Sequence, residues 1–162
     1  MSISSSVEGT PARIATALRL AFVAGSIAAV TSGFELAVTT IWPQHASLAG
    51  YFASIAAIAA GSTALPFDPV LVGVVAHLVI SIGWAYGYTD LALRNPALNR
   101  APWISGSVFG LLVFLGMQSI LLSVHQFHAF TPLGFLNATV LHTLAFGVPI
   151  ALIVARSRSV PQ

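Results

Sequence analysis

No cysteine and no lysine occur in this sequence, and acidic side chains number only four. The missing cysteine excludes disulfides, thiolate metal sites and thiol catalysis, and leaves the redox compartment open. Charge of either sign is scarce. Charged residues make up 6% of the 162 residues, whereas a soluble domain carries about a quarter. So few charges cannot cover a water-facing surface, and with 57% hydrophobic residues and a mean hydropathy of +0.92 the expected solvent is a bilayer. There is no Gly-rich phosphate loop, no GxSxG elbow and no HExxH helix. A conventional enzyme is not expected, and little chain lies outside the apolar runs to form a substrate domain.

The sequence pI near 9.7 reflects six arginines against four acids, scattered without a basic patch, so a nucleic-acid partner is not expected. The arginines instead mark an orientation. Arg13 and Arg19 precede the first apolar run, Arg94 and Arg100 lie in a short polar break, and Arg156 and Arg158 follow the last run. Segments 42–69 and 125–134 hold no arginine or lysine. Basic residues in short loops stay in the cytoplasm. Four spans with both termini cytoplasmic follow.

A spanning helix needs about 20 mainly apolar residues. Four windows meet this, at 20–41, 70–91, 103–124 and 135–154. The polar N-terminus with Arg13 and Arg19 resembles the start of a signal peptide, but the apolar run is longer than such a core, so a retained first span is expected. Trp42 and Trp103 fall at window ends, where aromatic belts sit. Pro43, Pro66, Pro69, Pro96, Pro102 and Pro132 punctuate loops. Pro149 lies inside the fourth window, where it should free the carbonyl of Ala145 and bend the helix. The apolar segment 47–61 is too short to span and would reverse the arginine pattern if it did. A short interfacial or re-entrant helix in the first outer loop is expected there. The fold class is therefore all-α, a single-domain integral membrane bundle of four transmembrane helices.

Lipid removes the hydrophobic drive between helices, and close approach through small residues replaces it. Ala17, Ala21, Gly25, Ala29, Gly33 and Ala37 recur at intervals of four in the first span, and Gly106 and Gly110 mark the third. Gly25, Gly33, Gly106 and Gly110 are the expected packing glycines.

Ionisable groups inside a bilayer are costly, usually face the bundle interior and are the default functional candidates. Each window has one conspicuous polar residue: Glu35, His77, Gln118 and His142. Counted from the outer ends, all four lie roughly 9–11 Å below the outer surface at 1.5 Å per residue. Glu35 sits about 200° around the helix from the Gly33 and Ala37 seam. Either the first helix packs on two sides or the seam serves an oligomer contact.

Several readings of this layer stay open. It is a structural polar network, with Gln118 as interhelical glue and His77 continued by Ser81, Trp84 and Tyr88 along one face. It relays or senses protons. His77 and His142 ligate a b-type haem, or join Glu35 around a transition metal. Neither cofactor is favoured over none. His125, His128, His45 and Asp68 read as outer-loop polar residues, and Asp90 with Arg94 as an i,i+4 ion pair.

Three short features carry a resemblance to the YagU-like small inner-membrane proteins of bacteria. They are Gly33-Phe34-Glu35 late in the first span, His77 followed by Ser81, Gly87 and Tyr88 in the second, and His142 early in the last span before the terminal arginines. The resemblance covers roughly residues 20–156. It implies a multi-pass protein of the bacterial inner membrane, from a family without an established biochemical activity. The outer loop is shorter here than in that family. A non-enzymatic ligand-binding or proton-responsive membrane protein is expected. The alternatives are an accessory subunit of a larger membrane complex and a small transporter or channel. The bilayer is the expected partner, with a homo-oligomer or larger complex as candidates.

Overall fold

The computed structural model describes residues 9–38, 47–60, 66–124 and 131–159, and every regular element among them is helical. Helix α1 covers Gly9–Leu36, α2 Leu48–Ala60, α3 Pro69–Arg94, α4 Pro102–Ser123, α5 Pro132–His142 and α6 Val148–Ser159. A 3-10 turn at Pro96–Asn99 links α3 to α4, and a π turn at Thr143–Gly147 joins α5 to α6. Four stretches are long and apolar enough to cross a membrane: Pro11–Leu36, Pro69–Arg94, Pro102–Ser123 and Pro132–Ser157. All four overlap the expected windows. Most run further into their polar flanks, because capping groups rather than hydropathy end a helix. Trp42, His45, His125 and His128 lie outside the described residues.

Local chemistry sets the helix starts. The Asp68 carboxylate accepts the amide hydrogens of Val70 (2.8 Å) and Leu71 (3.1 Å), with Pro69 in the first helical position. Asp68 is therefore a cap rather than a free loop residue. Thr131 caps α5 by accepting from Gly134 N–H (3.1 Å), followed by Pro132. The Asn95 side chain caps the 3-10 turn through Ala97 N–H (3.2 Å).

Four passes place the start of α1, the α3–α4 turn and the end of α6 at one end of the molecule, here the terminal end. Helix α2 and the starts of α3 and α5 lie at the distal end. Helix α1 packs mainly on α3, α4 on the π turn and α6, and the last span also touches α1 and α3. Helix α2 packs along the distal part of α3 and buries Ala56.

Small residues make these contacts. The buried face of α1 is Ala17, Ala21, Ala24, Gly25, Ala28, Ala29 and Ser32. A Cβ added at Gly25 would come within 2.6 Å of Ile82 Cα on α3. At Gly106 it would meet Val148 Cα at 2.8 Å, and at Gly110 Thr143 Cα at 2.9 Å. Gly147 is pressed onto the backbone of Gly106 and Gly110, and Gly73 onto the Phe52 carbonyl of α2. Gly33 corrects the expectation: among the described residues nothing lies within 4 Å of a Cβ placed there. A spacing of four residues advances about 40° per step on a helix of 3.6 residues per turn, so the stripe has rotated away by Gly33. Ser32 occupies the buried face instead.

At the terminal end Asp90 receives Arg94 (2.8 Å, the expected i,i+4 pair) and also Arg13 of α1 (3.6 Å). Tyr88 Oη and Ser105 Oγ are 2.8 Å apart, joining α3 to α4, while Ser105 Oγ donates to the Leu98 carbonyl.

Candidate functional site

The polar residues of the first and last spans meet. Glu35 sits one turn beyond Thr31 on α1, and His142 is the last residue of α5, immediately before the π turn. His142 Nδ1 lies 3.4 Å from Glu35 Oε2. The Glu35 side chain is 9% exposed and that of His142 20%, so the pair spans two helices inside the bundle. A carboxylate oxygen can only accept, so Nδ1 carries the hydrogen when Glu35 is ionised. The other nitrogen, Nε2, is buried and has no hydrogen-bond partner. Aromatic rings hold the imidazole: Phe146 stacks on it with centroids 5.3 Å apart, and Phe114 of α4 lies at 5.7 Å.

His77 comes to the same region from α3 but turns elsewhere. Its Nε2 donates to the Ala29 carbonyl at 3.2 Å and lies 3.4 Å from Ser32 Oγ, one turn deeper on α1 than Glu35. Phe52 of α2 meets the His77 ring edge-on at 5.9 Å. The neighbouring Tyr51 lies close enough to Glu35 to feel its charge. Burial first, and then the Glu35 carboxylate, push the Tyr51 phenol up to about 12, so it stays protonated at neutral pH. Helix α2 thus contributes two side chains to the surroundings of the polar centre.

Gln118 is not hydrogen-bonded to the pair. It is one turn distal to Phe114 on α4, and no hydrogen bond reaches it among the described residues. The four-residue polar layer expected from counting residues therefore becomes a Glu35–His142 pair with His77 beside it.

The π turn explains why His142 sits where it does. Pro149 has no amide hydrogen for the Ala145 carbonyl. That carbonyl instead accepts the hydroxyl of Thr31 from α1, and Val148 N–H bonds five residues back to Thr143. The proline signalled a freed carbonyl in the sequence. The donor was harder to see, although Thr31 and Glu35 are four residues apart and share a face. Ser32, Tyr51 and the Phe114 and Phe146 rings carried no comparable signal.

Among the described residues, no three side chains of His, Cys, Asp or Glu group closely enough for a metal ion. His77 is committed to Ala29 and Ser32, while His142 turns to Glu35. Glu35, His77 and His142 therefore do not form the three-residue metal set expected of them. Chemically, the centre can hold a proton on a carboxylate or on either imidazole nitrogen of His142. Compared with known proteins, the chain matches no family model, no curated protein and no solved structure.

Proposed function

We propose that this chain is a multi-pass protein of a bacterial inner membrane, with both termini cytoplasmic, whose Glu35–His142 pair is a proton-responsive centre near the outer face. The carrying observation is the 3.4 Å contact between two ionisable groups from the first and last spans, with His142 Nε2 buried and unpartnered beside it. Buried net charge is costly in lipid. An ionised Glu35 beside neutral His142 leaves one net negative charge, and a proton on Nε2 turns that state into a neutral ion pair. The pair therefore changes charge by gaining or losing one proton without any covalent step, and the role is non-enzymatic. Orientation rests on the arginines: Arg13, Arg94, Arg100 and Arg156 flank the terminal ends of the described helices. On this reading α2 is a re-entrant element, since its Phe52 reaches His77. The resemblance to the YagU-like proteins falls on Glu35, His77 and His142 and supports interest in the same residues.

The test is a pH titration of histidine ring nitrogens by solid-state NMR in proteoliposomes. The His142 ring-nitrogen signals are expected to change along the titration, and Glu35→Gln is expected to alter that change. A His142 signal unchanged across the titration, or identical in the Glu35→Gln protein, would dispose of the reading.

A further inference from the structure

We propose that α5 is a hinged arm, pivoting at the π turn, and that the Glu35–His142 contact is the latch that holds it against the bundle. The proposal builds on the same pair as the proton reading, but it concerns motion rather than titration.

Three observations place the pivot. The last span leaves regular α-helical bonding at Thr143–Gly147, and Pro149 removes the donor that would tie down Ala145. The freed carbonyl is held across helices by the Thr31 hydroxyl rather than along its own helix. Just past this point the chain is anchored, because Gly147 lies on the backbone of Gly106 and Gly110 while Val148, Ile150, Ala151 and Val154 are buried. A π turn and a proline are among the few features that bend a helix sharply. Here both fall within seven residues and next to a fixed contact.

The arm beyond the pivot is loosely held. None of the α5 residues is fully buried, and Leu133, Leu136 and Val140 are exposed along it. Among the described residues its contacts with the bundle include Phe135 on Phe114, with centroids 5.6 Å apart, and the latch at its inner end. The opposite distal element behaves differently. Helix α2 is seated on α3 with the Phe52 backbone against Gly73. Movement therefore belongs to α5 rather than α2.

The latch is an electrostatic contact at the root of the arm. Among the described residues, the other ionisable groups that face it are His77 from α3 and Tyr51 from α2, and α4 offers only Phe114 and uncharged Gln118 among its neighbouring positions. Losing the Glu35 carboxylate removes the inner tie, while the contact of Phe135 with Phe114 remains among the others. A swing of ~20° at the pivot displaces residue 133, about 18 Å away along the helix, by about 6 Å.

The chain has no cysteine, so paired labels can be placed without background. Distances by pulsed electron resonance in nanodiscs would be read between Leu133→Cys and Val75→Cys, both exposed, across the distal half. A second pair, Leu91→Cys and Ser157→Cys, reports the terminal half and checks that each variant is folded. Glu35→Ala is expected to lengthen the distal distance by about 5 Å and broaden it, and Pro149→Ala to narrow it, with the terminal pair unchanged. A distal distance that moves no more than the terminal one in Glu35→Ala overturns the hinge. In wild type, an equal distance at about pH 5 and about pH 8 alongside opening in Glu35→Ala keeps the hinge and removes its coupling to protons. Opening in neither removes the hinge, while the His142 titration still judges the proton reading by itself.

Discussion

The two halves of this bundle are built on different terms. The terminal half is closed by contact between backbones and small side chains: Ala21, Ala24 and Ala28 of α1 meet Ala85, Tyr88 and Ala92 of α3 and Ile150 and Val154 of α6. The distal half holds the ionisable pair, the aromatic rings around it and an arm without a fully buried residue. In lipid the first arrangement is the stabilising one, because dispersion at short range replaces the hydrophobic effect. The second confers chemistry at some cost, since polar groups there are desolvated. Stability and candidate function are thus separated along the membrane normal, and the Gly147 contact with Gly106 and Gly110 is the border.

Glycine substitutions give the largest contrast between the halves. Gly147→Val would place atoms into the backbone of Gly106 and Gly110, and the two helices cannot yield without separating. It is expected to destabilise the protein by about 3 kcal/mol, read as a fall in the thermal midpoint in detergent. Gly33→Val meets open space and is expected to stay within about 0.5 kcal/mol of wild type. Equal costs at both positions would erase the distinction.

Next in size is the terminal hydrogen-bond pair. Tyr88→Phe breaks the 2.8 Å contact with Ser105 and is expected to cost about 1 kcal/mol by the same measurement. At the border, Thr31→Val leaves the Ala145 carbonyl without its donor from α1. A loss of about 1 kcal/mol or less is expected, with faster amide hydrogen exchange confined to residues 140–149. Exchange spread evenly through the last span would show that the two halves open together. The smallest effect is expected from Arg94→Ala. Its ion pair with Asp90 is exposed, Arg13 remains beside the carboxylate, and no change in the thermal midpoint is expected at moderate salt.

Much of the architecture was readable in advance. Runs of about 20 apolar residues bounded by arginines and prolines announce spanning helices by length and composition, and Asp90 with Arg94 follows from a helical spacing of four. The packing glycines were read in part. Gly25, Gly106 and Gly110 do approach neighbouring backbones, whereas Gly33 does not, because a stripe at every fourth residue spirals around its helix. Counting residues also placed Glu35, His77, Gln118 and His142 at similar depths. Depth is a property of one helix and its solvent, so it can be read locally. Pairing depends on the rotation and crossing of several helices: His142 meets Glu35, while His77 bonds Ala29.

The amino-acid order alone determined four helices fit to cross a membrane, with the arginines gathered between and beyond them on one side. Those features depend on hydropathy and charge within single segments, which need no partner to be expressed. Tertiary structure decided that His142 meets Glu35 while His77 turns to Ala29, and that Thr31 captures the carbonyl freed by Pro149. These choices arise between residues 48 to 114 positions apart, and only the way backbones crowd together at Gly25, Gly106, Gly110 and Gly147 fixes them.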